Sequence, residues 1–332
     1  MRVFVAGATG AIGTRLVPKL VERGHEVIGT SRSMDRAQRL HTLGAEPVAL
    51  DLLDRRAVRE AVLDAKPNAI IHQATALTGL SDFKHFDRSF HQTNLLRTEG
   101  TDALLAAAKE AGVSRIIAQS FASYRYAREG GPVKTEDDPL DPTPVAAMRE
   151  TEDAMAYLDR VVTEAGGIAL RYGGFYGDPS DTTLIDAVRA RKFPIVGSGE
   201  GVSSFIHLDD AADATVLALD LEGPAIFNIV DDEPAPIKVW LPELARILRA
   251  KPPRHFPTWL ARTFAGEALV MMATEARGAS NAKAKRELGW TPAHPTWRQG
   301  FAETYAATGN RGAEGSGLEL PEHDTDGVPR EG

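Results

Sequence analysis

The 332-residue chain contains no cysteine. That excludes a disulfide scaffold, a thiol nucleophile, an Fe–S centre and cysteine-ligated zinc. It also lacks a basic excess. Thirty-eight Lys and Arg stand against 46 Asp and Glu, for a formal net charge of −8. Such a balance argues against nucleic acid as a partner and against docking on anionic membranes. Long apolar runs are missing too. The most membrane-like window, Trp259–Ala276, is broken by Arg262, Glu267 and Glu275, and it falls short of the ~20 apolar residues of a spanning helix. Met1-Arg2 leads into an apolar stretch too short for a signal peptide. These absences make a cytoplasmic location the expectation. No internal repeat is found.

What is present is a rhythm. Short β-branched runs at Arg2–Ala6, Glu26–Gly29, Pro47–Leu50, Ala69–His72, Arg115–Ala118 and Ile168–Leu170 predict strands. Between them, helical spacing puts Ile12, Leu16, Leu20 and Val21 on one face, then Leu104, Leu105 and Ala108, then Met148, Met155, Leu158 and Val162. Strand–helix alternation implies parallel strands with crossover helices on both faces, a doubly wound α/β sheet of the Rossmann type. The rhythm fails after Gly177. A helix at Asp209–Leu219 and a strand at Ala225–Val230 read as a return to the sheet, and helical stretches at Pro242–Arg249, Thr258–Ala276 and Asn281–Leu288 read as a second lobe. The expected organisation is a dinucleotide-binding domain over 1–177, completed by about 203–230. A substrate lobe would comprise 178–202 and 231–308. Residues 309–332 carry half the net charge and no periodicity, and are expected to be a disordered acidic tail.

The first strand runs into Gly7-Ala8-Thr9-Gly10-Ala11-Ile12-Gly13. The first glycine allows the tight turn, the second lets backbone approach a pyrophosphate, and the third lets the helix pack on the strand. The helix N-terminus then aims free N–H groups at the phosphates. A bound dinucleotide is therefore expected on Gly7, Thr9, Gly10, Ala11, Ile12 and Gly13. Where an acidic residue would take the ribose 2′-hydroxyl of NAD, this chain has Thr30-Ser31-Arg32. Ser31 and Arg32 offer a hydroxyl and a fork of donors for a 2′-phosphate, so NADP is favoured, with NAD as the alternative.

With these residues in view, the chain resembles the extended short-chain dehydrogenase/reductase family, the NAD(P)-dependent epimerase/dehydratases, over about residues 1–305. Asp51-Leu52 is similar to the pair that contacts adenine in that family. Ile71-His72-Gln73-Ala74-Thr75 is similar to the loop that passes under the cofactor. Arg171-Tyr172-Gly173-Gly174-Phe175-Tyr176-Gly177 resembles the turn near the nicotinamide, and Phe205-Ile206-His207-Leu208-Asp209-Asp210 resembles the family's Phe-Val-His-Val-Asp-Asp segment. The resemblance implies cofactor contacts from Asp51, Leu52, Gln73, Ala74, Thr75 and Tyr172. It also implies a homodimer paired through about residues 94–111 and 144–165.

The family's catalytic pattern does not carry over. Its reductases use Tyr-x-x-x-Lys, in which the lysine lowers the tyrosine pKa. None of the six tyrosines here is followed four residues later by lysine. The tyrosine slot holds Ala147 or Met148 and the lysine slot Thr151 or Glu152. Phe121 occupies the usual hydroxyl slot after Ser120. Arg97 holds the slot of the family's asparagine, and Asn94 is displaced from it. Ser203-Ser204 replaces the Arg-Asp that grips sugar diphosphates in nucleotide-sugar members, which weakens that substrate class.

Tyr124 and Ser120, at the carboxyl end of strand five, are therefore the expected catalytic residues, with Arg128 placed to favour a Tyr124 phenolate. Lys134 is a further source of charge toward the pocket. Asp82, His85, Asp87 and His91 fit no zinc spacing, and no metal is expected. His207 reads as a structural or cofactor-edge residue. Ser198 lacks the strand-to-helix elbow of a hydrolase nucleophile. The expected activity is an NAD(P)-dependent oxidoreductase acting on a small carbonyl or alcohol. The alternatives are a catalytically silent NADP sensor and an epimerase or dehydratase that retains its cofactor.

Overall fold

The computed structural model describes residues 1–77, 84–178 and 183–306; the expected acidic tail lies outside them. Seven strands form the main sheet: β1 (Arg2–Ala6), β2 (Glu26–Ser31), β3 (Glu46–Ala49), β4 (Ala69–His72), β5 (Arg115–Phe121), β6 (Ile168–Tyr172) and β7 (Ala225–Ile229). Their order is β7-β6-β5-β4-β1-β2-β3, and every pairing is parallel. The doubly wound expectation holds. The strand order reverses between β1 and β4, and in such sheets ligands bind at the carboxyl ends beside that reversal.

Helices cover both faces: α1 (Gly13–Glu22), α2 (Met34–Gln38), α3 (Arg55–Ala65), α4 (Phe86–Leu95), α5 (Thr101–Ala111), α6 (Arg149–Glu164) and, after α7 (Thr183–Arg189), which packs in a further core through Ile185 and Val188, α8 (Leu208–Ala218). Strand β1 shows why both are needed. Val3 and Val5 enter one core with Leu16, Leu20 and Phe227. Phe4 and Ala6 enter the other with Val58, Val62 and Leu104. A continuous apolar run is the mark of a strand buried on both faces. Salt bridges Arg15–Asp209 (3.2 Å) and Lys19–Asp213 (2.7 Å) tie α1 to α8. Helix α3 starts at Asp54, whose carboxylate accepts from the Ala57 N–H at 3.0 Å, a standard N-cap.

A π-helical turn, Leu96–Gly100, joins α4 to α5. That further core gathers Phe205, Trp240, Leu244, Trp297 and Phe301. It is built with α9 (Ile237–Ile247), α10 (Thr258–Thr274) and, beyond α11 (Ala282–Glu287), which packs on the main-sheet core through Ala284, α12 (Trp297–Tyr305). Helix α10 is interrupted at Gly266, which sits at φ +84° against the Lys84 backbone. Among the described residues no helix is long and apolar enough to cross a membrane.

Candidate active site

A cavity of about 1050 Å³ opens at the carboxyl ends of β1, β2, β4 and β5. Its floor is the glycine loop. Gly7 sits at φ +84°, and a Cβ there would stand 2.7 Å from the Ala74 backbone. At Gly13 a Cβ would lie 2.4 Å from the Ala8 carbonyl oxygen. Both positions therefore demand glycine. Helix α1 begins without a side-chain cap, so its N-terminal N–H groups remain for an anion. Gly7, Thr9, Gly10, Ala11 and Ile12 line the cavity; Gly13 supports it from beneath.

The end of β2 brings Ser31 and Arg32 into the wall, with Ser33 and Arg36 beside them. Thr9 donates its hydroxyl to Ser31 Oγ at 3.1 Å. Arg36 is carried into the wall by the short helix α2, which begins two residues after Arg32. Leu52, Gln73, Ala74 and Thr75 also line the cavity. Asp51 is exposed next to Leu52, with its carboxylate accepting from the Leu53 N–H at 3.1 Å. Tyr172 does not reach the cavity. It is fully buried and acts one step behind: Gln73 Nε2 donates to its hydroxyl at 3.1 Å, and that hydroxyl meets Thr215 Oγ1 at 2.6 Å. The residues thus fit a dinucleotide. The cradle admits only glycine at its closest points, a helix with no side-chain cap opens onto it, and the guanidiniums of Arg32 and Arg36 line the cavity beyond the end of β2.

The proposed proton-transfer residues fare differently. Strand β5 turns Gln119 to the cavity and Ser120, with Ala118, toward α6. Ser120 is 1% exposed and its hydroxyl accepts from Arg125 Nη1 at 3.0 Å. Arg125 and Arg171 both pair with Asp159, each at 2.9 Å. Ser120 is thus held in a buried ion network. Tyr124 is half-buried at φ +53°. Its ring meets Phe121 at 5.1 Å and the edge of Phe86 at 5.9 Å. Burial pushes its phenol above the ordinary tyrosine range, against the pull of Arg97.

Arg128 is not the partner of Tyr124. It pairs with Asp141 at 3.0 Å and Glu275 at 2.8 Å. Lys134 is buried and bound to Asp138 at 3.3 Å within its own turn, so it does not serve the pocket. Of the two residues at the family's tyrosine slot, Ala147 is half-buried and Met148 is buried with Phe86, Ala268 and Met271. Glu152, one of the two residues at the lysine slot with Thr151, is buried with Oε1 unpartnered. Burial, then the neighbouring Asp141, pushes its pKa up to about 8. Asn94 donates to Thr151 Oγ1 at 3.1 Å. Ser203 accepts from the Trp240 indole at 3.2 Å, and Ser204 from the Ala279 N–H at 2.8 Å, so both serve packing.

Among the described residues one group could ligate a metal: His207, Asp210 and His294. Its carboxylate is already spent. Asp210 accepts from the N–H groups of Ala293 (2.7 Å) and His294 (3.0 Å) and meets His294 Nδ1 at 3.0 Å. His207 stacks on His294 at 3.7 Å and caps α8 through Nδ1, which accepts from the Asp209 N–H at 3.2 Å. The group staples the Ala293–His294 segment to the start of α8. Asp82 lies outside the described residues, and Asp87 is committed to α6 through the Glu150 and Thr151 N–H groups.

The model of the NAD dependent epimerase/dehydratase family matches residues 3–229. The chain belongs to that family. It is an NAD(P)-dependent oxidoreductase of the extended short-chain dehydrogenase type. A Streptomyces protein named 3-diazoavenalumate denitrifying reductase is 44% identical over 91% of this chain and 99% of its own. A ketoreductase of Stigmatella aurantiaca, acting on a 4-hydroxy-2-methyl-3-oxo-4-farnesyl-3,4-dihydroquinoline-1-oxide, is 30% identical over 73% of this chain and 71% of its own. The UDP-glucose 4-epimerase of Thermus thermophilus in complex with NAD superposes with a TM-score of 0.70 at 23% identity, covering 94% of this chain and 100% of that one. That likeness is one of fold.

Proposed function

We propose that this family member is an NADPH-preferring reductase that removes the diazo group of an aromatic substrate. The observation that carries the reading is a tyrosine slot with no proton donor: neither Ala147 nor Met148 has one to give, and Met148 lies in an apolar cluster. Carbonyl reduction needs a proton on the forming alkoxide, and a positioned donor typically supplies ~10²–10⁴-fold. An aryl diazonium ion makes no such demand. Its reduction takes up one hydride and releases N2, so Ar–N2⁺ becomes Ar–H with no net proton. When bound, the reduced nicotinamide supplies that hydride. The activity for which the 44%-identical Streptomyces relative is named supports the substrate class.

The chain's own residues then have three tasks. The N-terminus of α1 holds the pyrophosphate. Ser31, Arg32 and Arg36 take the 2′-phosphate. Gln119 and Tyr176 wall the reacting end, with Gln73 fixed by Tyr172. The test is an aryl diazonium substrate with NADPH. One arene and one N2 per NADPH consumed are expected. NADPH oxidation without N2, or no oxidation at all, counts against the reading.

A second reading, reduction of a small carbonyl with Tyr124 as donor, is favoured by the ketoreductase relative and by a phenol that burial keeps protonated. A homodimer through residues 94–111 and 144–165 is also proposed, to be tested by sedimentation at micromolar concentration.

A further inference from the structure

We propose that the ground between the end of β5, the π-turn and the start of α6 binds the carboxylate of an aromatic substrate, with Arg97 as its anchor. This deepens the aryl diazo reading and rests on it.

π-turns occur mostly as single insertions at functional sites. Here the turn sets Leu96 in the wall of the cavity and the next side chain, Arg97, into the interior at 4% exposure. Nε and Nη1 of Arg97 have no hydrogen-bond partner among the described residues. No nearby carboxylate forms a hydrogen-bonded ion pair with it among the described residues, although the charge of Asp159 acts on it through space. Asp159 is engaged by Arg125 and Arg171. Glu152 stays largely a neutral acid near pH 7, because burial raises its pKa to about 8. Arg97 itself remains charged, since burial lowers it only to about 10.

A desolvated guanidinium without a directly paired counter-charge is a costly arrangement that an arriving anion relieves. A carboxylate matches its fork. Beside it stands an aromatic shelf. Phe121 and Tyr124 are half-buried with ring centroids 5.1 Å apart, and the Tyr124 phenol lies in the field of Arg97. Phe121 stands where the family keeps a hydroxyl. An apolar shelf next to an unpaired guanidinium is a recognition set for a planar aryl acid.

A purely structural arginine, satisfied by water, would not distinguish an acid from its amide. The experiment therefore titrates the NADP⁺-loaded protein with cinnamate and with cinnamamide by calorimetry. Cinnamate is expected to bind at least about tenfold tighter. Arg97→Met is expected to weaken cinnamate about tenfold or more and to leave cinnamamide unchanged. Arg97→Lys, which keeps the charge and loses the fork, is expected to fall between, and it carries the test if Arg97→Met does not fold. Equal or absent binding of both ligands by the unmodified protein overturns the proposal. So does an equal loss of both ligands in the variants. The readout needs no turnover. A protein that captures cinnamate through Arg97 and leaves aryl diazonium acids unreduced refutes the proposed reaction and not this site.

Discussion

Asp87 on α4 caps helix α6 from outside, accepting from the Thr151 N–H at 2.9 Å and the Thr151 hydroxyl at 2.7 Å. The cap fixes the first turn of α6, the turn that carries Glu152 and follows Met148. Asp87→Ala should lower stability by about 1–2 kcal/mol, the range for a lost N-cap, read from the urea midpoint. An unchanged midpoint would show that water replaces the carboxylate.

Arg32 and Arg36 should set cofactor choice. Replacing either by Ala should weaken NADPH by about 1–3 kcal/mol, the value of a charge-assisted contact, and leave NADH nearly unchanged. Fluorescence titration with both cofactors checks this. Equal affinities in the unmodified protein would refute the NADP preference.

Gly7→Ala should be harmful for two reasons at once. The residue would be forced to φ +84° and its Cβ set 2.7 Å from the Ala74 backbone. Strain of this kind costs about 1–3 kcal/mol. Both the melting temperature and NADPH affinity should fall.

Tyr124→Phe separates the two reaction readings. For diazo removal, turnover should stay within a few-fold of the unmodified enzyme. For carbonyl reduction, loss of the donor should cost at least about a hundredfold in kcat with NADPH affinity intact.

Glu152 predicts a pH effect. Unfolded, the carboxyl ionises in the ordinary range; folded, burial raises it to about 8. Its contribution to stability is therefore full at acid pH and lost as pH rises toward 8. Glu152→Gln should remove that loss, gaining about 1–3 kcal/mol above pH ~8 and almost nothing near pH ~4. His72 works in the opposite direction. Burial lowers it to about 4, so its contribution is lost as pH falls from the ordinary histidine range toward 4. Denaturant melts across pH check both slopes.

Much of the fold was legible before any coordinates. Strand and helix faces repeat at fixed short periods, and a phosphate turn needs its glycines within seven residues, so β1 through α1 and the Ser31-Arg32 pair could be read locally. Helix α3 escaped notice, although Asp54 is a recognisable cap.

The roles of single polar side chains were another matter, because each depends on a group delivered from distant sequence. Arg128 looked free beside Tyr124 until Glu275, 147 residues away, was found at 2.8 Å. Ser120 looked catalytic until β5 turned it toward Arg125. Arg97 could be read only as a misplaced residue in an asparagine slot. Its importance comes from being enclosed with no partner, a property of the folded interior and of no local stretch of chain.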